Sequence, residues 1–151
     1  MNLIAFLRQN KVDCMIIEKK STHHASEASK ATNIPIDKII KTLVFVDNNE
    51  QALIAIVLAD SMISRHKLEA CTGSKSVHLA SDQLAEKVTG YPTGGIPPVG
   101  HRKKLRIYID KNVTAKEFIW CGGGARTRLI RLRMDDVMRI ALPKVCDISQ
   151  S

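Results

Sequence analysis

Two apolar, β-rich runs, "IIKTLVFVD" (39–47) and "QALIAIVLAD" (51–60), flank a short turn built on two asparagines. Val, Ile, Leu and Phe in such runs favour pleated, buried backbone, and an Asn-containing turn between them predicts a hairpin. A hairpin of this apolarity cannot stand in water alone, so the rest of the chain must cover it. Lys41 breaks the first run. An ammonium inside an apolar strand either points to solvent, the commoner case, or meets an anion or carbonyl oxygen in a pocket.

The remaining pattern alternates short helices and strands. Residues 2–9 predict an amphipathic helix and 12–18 a strand. Residues 22–33 predict a helix starting near Thr22 or His24 and ending before Pro35. Further helices are expected over 64–73, stopped by Gly73, and over 81–88, with Ser81 as N-cap. "SVHLA" predicts a short strand between them, and strands follow near 106–110, 117–121 and 127–133 before a helix over 134–142. The expected class is α+β, with a mixed, mainly antiparallel, partly barrel-like sheet flanked by short helices, and residues 1–151 forming a single domain. In "RTRLIRLR", Arg126 and Arg128 fall on one face and Arg131 and Arg133 on the other. That predicts either a strand with both faces partly wet or a bulge near Leu129–Ile130, and the bulge or a barrel corner is preferred.

Two glycine-rich stretches stand out. "TGYPTGGIPPVG" (89–100) places four glycines and three prolines in twelve positions. Glycine permits close backbone approach and proline fixes φ, so such a loop is rigid and suits the wall of a small-ligand site as well as a stiff connection. "CGGGAR" (121–126) allows a second close approach, though it lacks the strand-to-helix setting of a nucleotide-binding loop. His101 follows the first loop, and a lone histidine is more often structural than catalytic. The pattern offers no covalent nucleophile.

Charge is one-sided. Of a net +8, residues 101–151 supply +7, from 12 basic and 5 acidic residues. Such an excess marks either a polyanion-binding face or an ordinary solvated one. Aromatics are only 4% of residues, which argues against rows of stacking rings. Cys14, Cys71, Cys121 and Cys146 show no CxxC spacing, so no metal is expected and four free thiols are. No run reaches the ~20 apolar residues of a membrane helix, and a cytoplasmic protein is expected.

"KTLVFVD", then "TGYPTGGIPPVGHRKKLRIYID", then "GGGARTRLIRLRMDDVMRI" resembles the YbaK / prolyl-tRNA-synthetase-associated editing domains, over about Thr22 to Ile140. The resemblance implies a freestanding aminoacyl-tRNA deacylase without cofactor, acting in trans on tRNA for proline carrying alanine or cysteine. It makes Lys41 the essential lysine, beside the terminal adenosine or carbonyl. It implies that Thr42, Gly94, Gly95, Ile96, Pro97 and Pro98 grip the aminoacyl end, with Gly123 and Gly124 in a second wall. The tRNA backbone would cross Arg102, Lys103, Lys104, Arg126 and Arg128, and prolyl-tRNA synthetase is an implied partner. The alternative is a non-catalytic module that binds tRNA acceptor ends or aminoacyl-adenylate-like ligands. Where many relatives carry a Gly-Asp-Arg-Arg-like stretch, this chain reads "ADSMISRHKL", a departure that bears on substrate identity.

Overall fold

A computed structural model describes residues 2–151. The chain runs α1 (Leu3–Gln9), β1 (Met15–Glu18), α2 (Ala25–Thr32), a 3-10 turn (Ile36–Lys38), β2 (Ile40–Asp47) and β3 (Ala52–Leu58). It continues through α3 (Arg65–Thr72), β4 (Val77–Leu79), α4 (Asp82–Thr89), β5 (Arg106–Asp110) and α5 (Lys111–Thr114). β6 (Phe118–Gly122), β7 (Arg128–Arg133), α6 (Met134–Ala141) and β8 (Lys144–Cys146) complete it. The expected helices and strands are all present within a few residues. The 3-10 turn, α5 and β8 were not anticipated; at three or four residues each, none is long enough to show a periodicity.

A five-stranded sheet has the order β4-β2-β3-β5-β8, and a three-stranded sheet the order β1-β7-β6. The pairs β1–β7, β6–β7, β2–β3 and β2–β4 are antiparallel, while β3–β5 and β5–β8 are parallel. The two sheets touch at a parallel bridge between Ile39 and Trp120 and do not close into a barrel. The larger core gathers Ile40, Val44, Ile54 and Ile56 from the hairpin with Ile119 and Ile130 from the smaller sheet. On the hairpin's other face Phe45, Leu53 and Val57 meet Leu68 of α3. Burial on both faces is why the two runs read as continuous apolar sequence without alternation. Each fully buried aliphatic side chain contributes about 1.5–3 kcal/mol, which fixes β2 firmly against its neighbours.

The hairpin turn is locked by Asp47, whose carboxylate accepts from Asn49 N and Gln51 N, both at 2.9 Å, and from Arg106 Nη2 at 2.9 Å. The Gln51 amide, then Arg106, holds the Asp47 carboxyl below the usual carboxylate range.

Two expectations need correction. β7 carries no bulge: its register runs unbroken against both β1 and β6. Both faces are instead covered in part. Ile130 and Leu132 enter the core, while Arg131 and Arg133 lie 4.4 and 5.7 Å from the Phe118 ring on the other side. A guanidinium stacked on an aromatic face needs no bulge to reach water. Nor are all four cysteines free. Cys71 on α3 and Cys146 on β8 form a disulfide with Cα atoms 6.5 Å apart, leaving Cys14 and Cys121 as thiols. The partners are 75 residues apart, a separation that spacing alone cannot pair. Among the described residues no helix is long and apolar enough to cross a membrane.

Candidate active site

The site forms where β2 lacks a neighbour. β4 pairs with β2 only along Phe45–Asp47, and at the other end β6 is bridged to the chain at Ile39, the residue just before β2, through Trp120. A cavity of about 350 Å³ lies against the stretch between, Ile40 to Leu43. His23, His24 and Ala28 at the start of α2 form one wall, and Thr93, Gly94 and Ile96 another. Gly122 and Leu129 close the back, and Met62 and Leu79 stand at the rim, 62% and 60% exposed.

Lys41 enters this cavity half-buried. Burial lowers its pKa, opposed only in part by the charge of Asp60. Its ammonium lies 4.0 Å from Met62 Sδ, and among the described residues no carboxylate lies within ion-pair distance of it. A partly desolvated cation without an ion-pair partner raises the free energy of the fold unless a ligand oxygen meets it.

Hydroxyl and ring atoms of the cavity tell the same story. Among the described residues four buried side-chain polar atoms have no protein partner: His23 Nδ1, Thr42 Oγ1, Thr93 Oγ1 and Ser149 Oγ. The first three belong to residues lining this cavity. Leaving such a group unpaired costs about 1–3 kcal/mol, so three in one place mark a site shaped for something polar. His23 Nε2 lies 3.4 Å from Asp82 Oδ2, linking the starts of α2 and α4 across the mouth. The Thr93 hydroxyl, followed by His23, holds the Asp82 carboxyl down, although Thr93 Oγ1 stops short of full hydrogen-bond geometry.

The Gly/Pro loop is held by its own groups. Gly95 N donates to Pro92 O at 2.8 Å and Tyr91 OH to Gly100 O at 3.0 Å. His101 Nε2 lies 2.7 Å from Pro97 O, and burial lowers the ring's pKa. At neutral pH the ring is therefore neutral and donates its Nε2–H to that carbonyl, so His101 is a brace for the loop. The loop in turn rests on the second glycine stretch, with Gly124 N donating to Gly95 O at 2.8 Å. A Cβ on Gly122 would lie 2.6 Å from Gly95 C, and one on Gly95 would lie 2.8 Å from Ala125 C. These glycines let two backbones touch.

Of the residues implied by the sequence, Lys41, Thr42, Gly94 and Ile96 line the cavity. Gly95, Pro97, Pro98 and Gly123 are buried behind it, and Gly124 sits in the supporting turn. Arg126 turns inward: its Nε donates to Thr93 O at 2.7 Å, and its carbonyl accepts from Thr22 N at 3.0 Å and from Lys19 Nζ. Arg128 pairs with Glu18 at 2.9 Å. Cys121 is fully buried and its pKa is pushed far up, which removes it as a nucleophile. Sequence reasoning missed His23, Asp82, Met62 and Leu79, which no spacing links to Lys41.

Arg102, Lys103 and Lys104 are exposed, and the two lysines share a separate groove with Lys87 and Arg106. If a nucleic acid backbone crosses this groove, affinity falls with salt by roughly 0.7–0.9 log units per contact per decade. Neutralising Arg102, Lys103 and Lys104 together is expected to flatten that slope. A salt series of RNA-binding affinities measures it; an unchanged slope makes the stretch a solvated face.

The family described as the aminoacyl-tRNA editing domain matches residues 19–140. A relative from Enterococcus faecalis, named "Putative Cys-tRNA(Pro)/Cys-tRNA(Cys) deacylase EbsC", is 27% identical over 98% of this chain and 92% of its own length. A proline--tRNA ligase of Geobacter metallireducens is 30% identical over 73% of this chain, which spans only 19% of the ligase. A crystal structure described as a "putative trans-editing enzyme for prolyl tRNA synthetase" superposes with TM-score 0.86 at 25% identity, covering 99% of this chain and 96% of that one. With the family match running from just after β1 into α6 and enclosing every wall of the Lys41 cavity, the chain belongs to the aminoacyl-tRNA editing domain family.

Proposed function

We propose that this chain is a deacylase acting in trans, in the cytoplasm, as one editing domain on tRNA for proline mischarged with alanine or cysteine. The observation that carries the proposal is Lys41, an unpaired, half-buried cation in a cavity with three orphaned polar atoms. An aminoacyl ester is already activated, so positioning and charge stabilisation can suffice. Water adds to the ester carbonyl carbon, and the carbonyl π-electrons move onto oxygen, where the Lys41 ammonium stabilises them. Collapse breaks the bond to the ribose oxygen, which takes the proton lost by the attacking water through the vicinal ribose hydroxyl. Free amino acid and uncharged tRNA result. A mostly rigid cavity excludes large side chains by clash, but single methylenes change binding by only ~1–3 kcal/mol.

The test is a panel of tRNA for proline charged with proline, alanine, cysteine or serine, run with and without prolyl-tRNA synthetase. Hydrolysis of the alanyl and cysteinyl forms well above the spontaneous rate, with the prolyl form spared, is the expected result. Binding of charged tRNA without hydrolysis of any form would instead favour the non-catalytic module.

A further inference from the structure

Thr42 lies in a gap in the edge of β2, between the Ile39–Trp120 bridge and the first β4 partner at Phe45. Odd-numbered residues of this strand turn their backbone polar groups toward β3: Ile39 O accepts from Ala59 N at 2.8 Å, and Asp47 N donates to Gln51 O at 3.0 Å. Even-numbered residues turn the other way, since Val44 O accepts from Ala80 N at 2.9 Å. In a regular antiparallel strand this alternation also points Thr42 N–H and C=O away from β3, toward the open side. Trp120 meets the chain at Ile39, just before β2, and β4 arrives at Phe45, so neither covers Thr42. Its side chain is buried, 8% exposed, and Oγ1 has no protein partner among the described residues.

Resting on the deacylase reading, in which this gap receives the aminoacyl end, we propose that Thr42 Oγ1 favours substrates with a hydroxyl or thiol on the β-carbon over those that lack one. An amino acid ester has one α-ammonium donor and one carbonyl acceptor, spaced as in a single strand residue. Opposite Thr42 it completes one antiparallel pair, donating to Thr42 C=O and accepting from Thr42 N–H. The N–H then joins Lys41 in stabilising charge on that carbonyl oxygen. Directly opposed residues project side chains on the same face, ~4.5–5.5 Å apart at Cβ. The substrate side chain therefore lies beside Oγ1, and a seryl or cysteinyl group pairs with the orphaned hydroxyl where an alanyl group cannot.

The experiment uses the full chain and tRNA for proline charged with serine or alanine, reading the ratio of kcat/KM values. Thr42→Val keeps the shape and removes the hydroxyl, and the seryl-to-alanyl ratio is expected to fall about tenfold, whereas Thr42→Ser retains it. An unchanged ratio in a folded Thr42→Val protein overturns the inference. Should that variant not fold, the wild-type protein decides between cysteinyl and 2-aminobutyryl esters, which match in shape. A preference of several-fold for cysteinyl supports the inference, and equal rates overturn it. A wild-type protein inactive on every ester overturns the deacylase reading itself, a result distinct from active hydrolysis without this preference.

Discussion

Lys41→Ala is expected to lower deacylation by about 100- to 1,000-fold, the usual loss when one preorganised stabiliser of an oxyanion is removed. The loss belongs in kcat, because the developing negative charge exists only in the transition state. Lys41→Met adds a sharper test. Burial lowers the lysine's pKa in the folded protein, so the folded state holds that proton less tightly than the unfolded chain does. Below the lowered pKa both states are charged, and the folded one bears the full cost of desolvation. That cost is relieved as pH rises through the lowered pKa toward the unfolded value. At neutral pH Lys41→Met should therefore raise the thermal midpoint while abolishing turnover. The wild-type rate should also decline with pH earlier than an ordinary lysine would dictate. A methionine variant that is inactive and less stable would show that the lysine supports the fold.

Gly95→Ala is expected to destabilise the protein by about 3 kcal/mol and to remove activity with it. The new Cβ would lie 2.8–2.9 Å from three backbone atoms of Ala125, and backbone cannot rotate away as a side chain can. The loop carrying Gly94 and Ile96 would separate from the turn that supports it, opening the cavity. Gly73→Ala provides the contrast. Its φ is +74° but nothing lies within 4 Å of the added carbon, so the cost is confined to the left-handed backbone, about 1–2 kcal/mol. Urea midpoints of the two variants measure the difference; equal losses would mean that the loop-to-turn approach carries no special weight.

The glycine stretches show how far the sequence could be read. Their composition announces close approach and rigidity, because those properties reside in the residues themselves. It does not say what is approached. The sequence suggested a ligand at Gly95 and Gly124, whereas each meets the other loop, and of the Gly/Pro segment Thr93, Gly94 and Ile96 reach the cavity. Arg126 and Arg128 make the same point. Their charge was legible, but their partners, Thr93 O and Glu18, come from distant segments.

What the sequence determined by itself was local. The apolar hairpin, the Ser81 cap, the Gly73 stop and the misplaced lysine all follow from neighbours along the chain. The ordered trio of lysine, Gly/Pro loop and glycine turn was enough for the family. Only the tertiary structure decided that β4 and β6 leave Thr42 uncovered, that His23 meets Asp82, and that Cys71 meets Cys146. The physical reason is that strand ends and edge gaps are set by long-range pairing. A residue's own type fixes what it can bond, and the fold fixes whether a partner arrives.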